Sequence, residues 1–251
     1  MTAALRAEAR KARRRHGLAI AAGTALMIVL SCIHSGGDSP AWKAVGYDAL
    51  LVNCSMINAV AMPLTMAALA SRLWDVETKG NGCRLLYTLQ SRESLFDAKS
   101  LLGMGENLVL CAVECAGFVW LGRRGGFTQQ LEPLRVVWLF VSTYCVNAML
   151  FFAALLLSVR SRSQVLPLGA GLIFSMLGVF GAFMPETLVI LMPWSYYLPM
   201  SALYMTYDSA ARIAVYEPMP PLLPASLLAA ALVLGALAFC LARRAMRSQE
   251  V

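Results

Sequence analysis

The sequence predicts an all-α membrane protein that crosses the bilayer six times. Of its 251 residues, 59% are hydrophobic and only 14% are charged, and the mean hydropathy is +0.65. A soluble globular chain averages about 25% charged residues, so this chain has too few charges to cover a water-facing surface. Residues 49–71 and 136–159 contain no charged side chain, and uncharged runs of about 18 or more residues are typical of membrane-spanning helices.

Six segments are long and apolar enough to be interpreted as spans. A helix needs about 20 residues to cross the hydrocarbon core, whereas a β-barrel would show short segments of alternating polarity. The first segment is longer than the apolar region of about 7–15 residues in a cleaved secretory signal, so we interpret it as a retained span. The predicted spans are residues 17–34, 47–71, 101–122, 136–158, 166–194 and 222–242.

The basic residues predict the orientation of these spans. With the N-terminus in the cytoplasm, the cytoplasmic side holds every lysine and arginine except Lys43, Arg123, Arg124, Arg135 and Arg212. The positive-inside rule thus predicts that both termini are cytoplasmic, and the net charge of +7 needs no nucleic-acid partner. The basic head, residues 1–16, is either a topology anchor alone or also a helix bound to anionic membrane lipid.

The chain is expected to form a single transmembrane domain over residues 1–251, because no loop reaches the about 50 residues of a separate domain. A polar segment over residues 72–100 lies between the second and third spans. A broken segment over residues 193–221 lies on the outer side, before the last span.

The outer segment is predicted from an ambiguity in span number. Between residues 163 and 207 the only charged residue is Glu186, a length of about two spans. Two spans would place the basic C-terminal tail outside, and prolines interrupt the second half, so we expect one span followed by irregular chain. An interfacial belt is predicted for its aromatic residues, Trp194, Tyr196, Tyr197 and Tyr204.

Motifs of several enzyme classes are absent from the sequence. It contains no GxxxxGK[ST] phosphate loop, no HExxH and no GxSxG. The two histidines, His16 and His34, fall near opposite ends of the first span, and the seven cysteines form no CxxC pair. We therefore expect no catalytic residue, no metal and no directly bound cofactor, which argues against an intramembrane enzyme.

The polar segment is the most informative part of the chain. Gly80, Asn81 and Gly82 predict a turn, and an Arg-Leu-Leu run after it predicts a short amphipathic helix. Ser91 is predicted to cap the next helix, with Glu93 in its first turn. A short cytoplasmic helix between two spans suits a groove on a soluble partner, and a lipid-surface loop without a partner is the alternative.

This pattern resembles that of the ABC-2 type transporter permeases and, more narrowly, the permease subunits of lantibiotic immunity transporters. The shared features are an acid, a glycine turn, the Arg-Leu-Leu run, a Ser-Arg pair and a lysine entering the third span. Those subunits are also similar to this chain in length and in having six spans. The resemblance implies that the segment is a coupling helix that contacts an ATPase through Glu77, Arg84, Leu85, Leu86, Ser91, Arg92 and Lys99.

The resemblance further implies a function in a bacterial cell membrane. The chain would be a permease subunit that exports or expels an antimicrobial, lantibiotic-like peptide, with ATP and Mg bound by a separate ABC ATPase. A second permease subunit, identical or homologous, would complete the pathway. The alternatives are an ABC-2 exporter of another lipid or drug-like substrate, and a non-transporting sensor or scaffold that docks a cytoplasmic partner.

Two carboxylates fall within the third predicted span. Glu106 and Glu114 are eight residues apart, so they lie roughly on one helical face. A carboxylate at membrane depth is costly and by default indicates a function, here contact with a cationic substrate in the pathway. A hydrogen-bonded packing or heteromer contact for Glu114, and a position near the inner interface for Glu106, are the alternatives.

Overall fold

The structure is a computed structural model that describes residues 16–33, 40–78, 91–161, 163–181, 184, 186–208 and 213–247. Helices dominate the described chain: α1 (Gly17–Ile33), α2 (Pro40–Ala44), α3 (Gly46–Thr78), α4 (Arg92–Arg124), α5 (Pro133–Ser161), α6 (Val165–Gly181), α7 (Glu186–Val189) and α8 (Leu222–Arg247). Between α7 and α8 lie two 3-10 turns, Pro193–Ser195 and Pro199–Ser201, and two strands, β1 (Leu203–Asp208) and β2 (Ile213–Pro218).

Four of the described helices are long and apolar enough to cross a membrane. They are α3 as far as Trp74, α4, α5 and α8. Helices α1 and α6 are also apolar but have 17 residues each, which is about 25 Å of helix. The mostly helical fold is therefore confirmed, whereas a sixfold crossing stays a prediction.

The fifth predicted span, residues 166–194, is only partly regular helix. Helix α6 ends at Gly181, and the chain continues through α7 and the first 3-10 turn. Pro193 begins this 3-10 turn, because a proline lacks the backbone donor that a continuing α-helix needs.

A β-hairpin occupies part of the predicted outer segment and was not expected in an all-α fold. Strands β1 and β2 pair antiparallel, from Leu203 opposite Pro218 to Asp208 opposite Ile213. Both strands are rich in aromatic and β-branched residues, which favour strands.

Helix α3 lies at the centre of the fold. It packs against α1, α5 and α6, while α1 also packs against α4, and α8 against α5. The buried side of α3 carries Ala59, Met62, Met66 and Trp74. A displacement of α3 must therefore affect several neighbouring helices at once.

The α3–α6 contact is close because glycines line it. A Cβ atom at Gly178 would overlap the carbonyl group of Ala59, and one at Gly171 would overlap the side chain of Ala67. Between these glycines, the Ser175 hydroxyl donates a hydrogen bond to the Val60 carbonyl. Small residues and a serine hydroxyl at a helix contact are typical of packing inside membranes.

The outward face of α8 carries large apolar side chains. Leu232, Val233, Leu237 and Leu241 are each more than half exposed. Such a continuous apolar surface is unfavourable in water and suits contact with lipid or another membrane subunit.

Candidate functional site

The predicted coupling segment, residues 72–100, ends in the N-terminal turns of α4. The Ser91 hydroxyl accepts a hydrogen bond from the Ser94 backbone N–H at 3.3 Å, and Glu93 lies in the first turn. The N-cap predicted for Ser91 is confirmed. This local capping fixes where the 33-residue helix begins.

A charged clamp joins this end of α4 to the end of α8; we use the term for Glu93, Asp97, Arg243 and Arg247. Arg243 Nη2 lies 3.2 Å from Glu93 Oε2 and 3.0 Å from Asp97 Oδ2, and Arg247 Nε lies 2.6 Å from Glu93 Oε1. These side chains are between 29% and 59% exposed, so water screens the ion pairs and each contributes little to stability. The clamp therefore acts mainly by fixing the relative position of the two helix ends.

Two further contacts strengthen the connection between α4 and α8. Arg92 Nη1 donates to the Arg247 carbonyl at 3.5 Å. The rings of Phe96 and Phe239 pack with their centroids 5.5 Å apart. The apolar contact lies beside the charged clamp, so the joined ends share a small core.

Lys99 connects the same end of α4 to α3. Its side chain is fully buried, and Nζ donates to the Leu73 carbonyl at 2.8 Å. A buried ammonium is stable only when it is hydrogen-bonded, so Lys99 holds the start of α4 against the last turns of α3.

The remaining predicted coupling residues are placed only in part. Glu77 lies in the last turn of α3, and Arg84, Leu85 and Leu86 lie outside the described residues. The contact of this segment with an ATPase stays a prediction.

The two carboxylates of α4 face different helices. Glu106 packs against Gly17 at the start of α1, where a Cβ atom would overlap its carboxylate. A negative charge at a helix N-terminus is favoured by the helix dipole. Glu114 instead accepts a hydrogen bond from Asn58 Nδ2 of α3 at 2.6 Å.

A buried polar network that sequence reasoning missed joins α4, α5 and the outer segment. Asn147 Nδ2 donates to Asn107 Oδ1 at 2.9 Å, and the Tyr197 hydroxyl donates to Asn147 Oδ1 at 2.5 Å. Asn107 also donates to the Tyr144 carbonyl at 3.2 Å. The only sequence signal was an asparagine within each of two apolar spans.

The predicted interfacial belt is wrong for two of its four residues. Tyr196 and Tyr197 are buried against protein. The Tyr196 hydroxyl donates to the Ile190 carbonyl at 2.9 Å. A tyrosine satisfies its hydroxyl inside a protein as well as at an interface, and hydropathy does not distinguish the two.

Comparison with known families identifies the class of protein. A profile of the family described as ABC-2 family transporter protein matches residues 4–178, well over half of the chain. The chain therefore belongs to the ABC-2 family of transporter proteins. The match includes the polar segment 72–100 and α1, α3, α4 and α5. A search of curated proteins finds no match.

Membership of this family identifies the chain as the membrane subunit of a multi-pass transporter. Members of the family form a membrane transport domain without an ATP site of its own and generally work with an ABC ATPase. The broader part of the predicted resemblance is thus confirmed.

Proposed function

We propose that this chain is the permease subunit of an ABC transporter that exports or expels an antimicrobial, lantibiotic-like peptide from a bacterial membrane. A separate ATPase binds ATP and Mg and docks on the coupling segment, residues 72–100. A second permease subunit, identical or homologous, completes the transport pathway. Both termini and the coupling segment face the cytoplasm, as the basic residues indicate.

The coupling proposal rests on the contacts that join the start of α4 to two other helices. Lys99 binds it to α3, and the charged clamp binds it to α8. Helix α4 is continuous over 33 residues, about 50 Å, and so extends well beyond the about 30 Å hydrocarbon core. A force applied near Ser91 would move α4 and its neighbours together.

The charges of this helix end fit a surface that meets a soluble partner. Glu93, Asp97, Arg243 and Arg247 are all partly exposed, in a chain that is otherwise poor in charge. The predicted contact residues Arg84 and Leu86 belong to the segment that enters this end of α4. A docked helix relies on a few buried anchors, so single substitutions should weaken it.

The proposed substrate pathway includes Glu114 and Glu106, because acids attract a cationic peptide. Both side chains are buried in the described chain. Glu114 would contact substrate only after α3 and α4 have separated, since it is buried and Asn58 donates to one of its carboxylate oxygens. The pathway therefore opens between these helices in the transporting state.

The experiment is co-purification of the permease with its ATPase from the source cells. Arg84→Glu and Leu86→Asp should reduce the amount of ATPase recovered while the permease remains in the membrane at normal abundance. Arg123→Glu is the matched control, because Arg123 is exposed at the opposite end of α4. Recovery equal to wild type for both coupling variants would contradict the assignment of the coupling segment.

A further inference from the structure

The contact between Asn58 and Glu114 leaves two buried polar atoms without a partner. Asn58 is 0% exposed and Glu114 is 1% exposed. Asn58 Nδ2 donates to Glu114 Oε1 at 2.6 Å. Among the described residues, Asn58 Oδ1 and Glu114 Oε2 have no hydrogen-bond partner. Buried polar atoms nearly always find partners, so these two require an explanation.

If Glu114 is ionised, both unpartnered atoms are hydrogen-bond acceptors. A carboxylate has no donor, and the amide oxygen of Asn58 only accepts. Rotating the amide would place its oxygen against the carboxylate and remove the existing hydrogen bond. The missing element at this contact is therefore a donor hydrogen, and no rotamer of Asn58 supplies it.

Among the ion pairs of the described residues, none includes Glu114. Arg135 pairs with Asp48 and Glu132, and the charged clamp pairs Arg243 and Arg247 with its own acids. The titratable groups near Glu114 are thiols of α3 and α4 and one phenol of the outer segment. A further thiol, on α1, contacts the α3 thiol. These groups are Cys54, Cys111, Cys115, Tyr197 and Cys32.

We propose that Glu114 binds a proton and that the neutral acid forms a two-hydrogen-bond pair with the Asn58 amide. The proton sits on Oε2, and the resulting O–H donates to Asn58 Oδ1 while Nδ2 donates to Oε1. One proton taken from water satisfies both unpartnered atoms and removes the buried charge. No other donor is needed to complete the pair.

The protonated pair links α3 to α4 at the depth of the membrane core. Loss of the proton leaves an ionised carboxylate with unpartnered oxygens, which is stable only if water or a cationic group reaches it. Proton release is therefore coupled to separation of α3 from α4, and proton uptake to their closure. The protonation state of Glu114 therefore controls whether α3 and α4 stay in contact.

Infrared spectroscopy of the full-length chain in lipid nanodiscs tests this assignment. At neutral pH an exposed glutamate, with a pKa of about 4.3, is ionised, so the C=O band of a protonated carboxyl reports a buried acid. We expect this band in the wild type, with a shift in heavy water, and its loss in Glu114→Gln. Glu132→Gln is the matched control and should retain the band, because Glu132 is exposed; Glu106→Gln should retain it as well.

A second variant keeps the test independent of how well Glu114→Gln folds. Asn58→Leu removes the amide that binds both carboxyl oxygens, so the C=O band should shift in frequency when Glu114 is its source. A wild type without the band, with Glu114 ionised beside water or a bound sodium ion, would overturn the proposal. A band that persists in Glu114→Gln and is unmoved in Asn58→Leu would overturn it equally.

Discussion

Gly178→Ala is a sharp test of the α3–α6 contact. The added Cβ atom would overlap the carbonyl oxygen and carbon of Ala59, and these backbone atoms cannot rotate away as a side chain would. Gly169 provides the matched control on the same helix, because a Cβ atom there meets nothing within 4 Å.

The expected change in the free energy of unfolding follows from two opposing effects. Replacing glycine by alanine inside a helix gains about 1 kcal/mol, whereas overpacking a close contact costs about 1–3 kcal/mol. The cost at Gly178 lies at the upper end of that range, because the two helices themselves must move apart. We expect a net loss of about 2 kcal/mol for Gly178→Ala and no loss for Gly169→Ala.

Thermal unfolding of the purified chain in detergent measures the difference. For chains of about 150–250 residues, 1 kcal/mol shifts Tm by about 2–4 °C, so Gly178→Ala should lower Tm by about 4–8 °C. Gly169→Ala should leave Tm unchanged or raise it. Equal Tm values for the two variants would refute the close approach of α6 to Ala59.

Three further predictions concern other parts of the fold. Tyr197→Phe removes the hydroxyl bound to Asn147 and should lower stability by about 1–2 kcal/mol; an unchanged Tm would exclude the buried network. Ser91→Cys, in a cysteine-free background, should resist a membrane-impermeant thiol reagent in intact cells, and ready labelling would reverse the predicted orientation. Arg243→Glu should reduce ATP hydrolysis by the complex, with partial recovery on adding Glu93→Arg; loss without any recovery would argue against a role for that ion pair.

The positions of the helices were predictable because hydropathy and length suffice for them. Each predicted span overlaps a described helix, and four of these helices have spanning length, but the fifth predicted span is only partly helical. The Ser91 cap was predictable for a different reason, since capping depends on residues that are neighbours in the sequence. The 3-10 turn at Pro193 and the pairing of β1 with β2 follow from local backbone chemistry, so hydropathy alone did not locate them.

The contact partners of the buried polar residues could not be predicted from the sequence. Glu106 and Glu114 lie on one helix, but the first packs against α1 and the second against α3. Periodicity gives the face of a helix and says nothing of which neighbour covers it. Tyr197 was likewise assigned to the lipid interface because its contact with Asn147 joins residues far apart in the chain.

One measurement tests most directly whether this chain couples ATP hydrolysis to the movement of a peptide. The permease and its co-purified ATPase are reconstituted into liposomes, and the rate of ATP hydrolysis is recorded with and without a cationic, lantibiotic-like peptide. We predict that the peptide stimulates hydrolysis in the wild type and not in Arg84→Glu. A rate that peptide leaves unchanged would contradict peptide transport, and it would favour a scaffold or an exporter of another substrate.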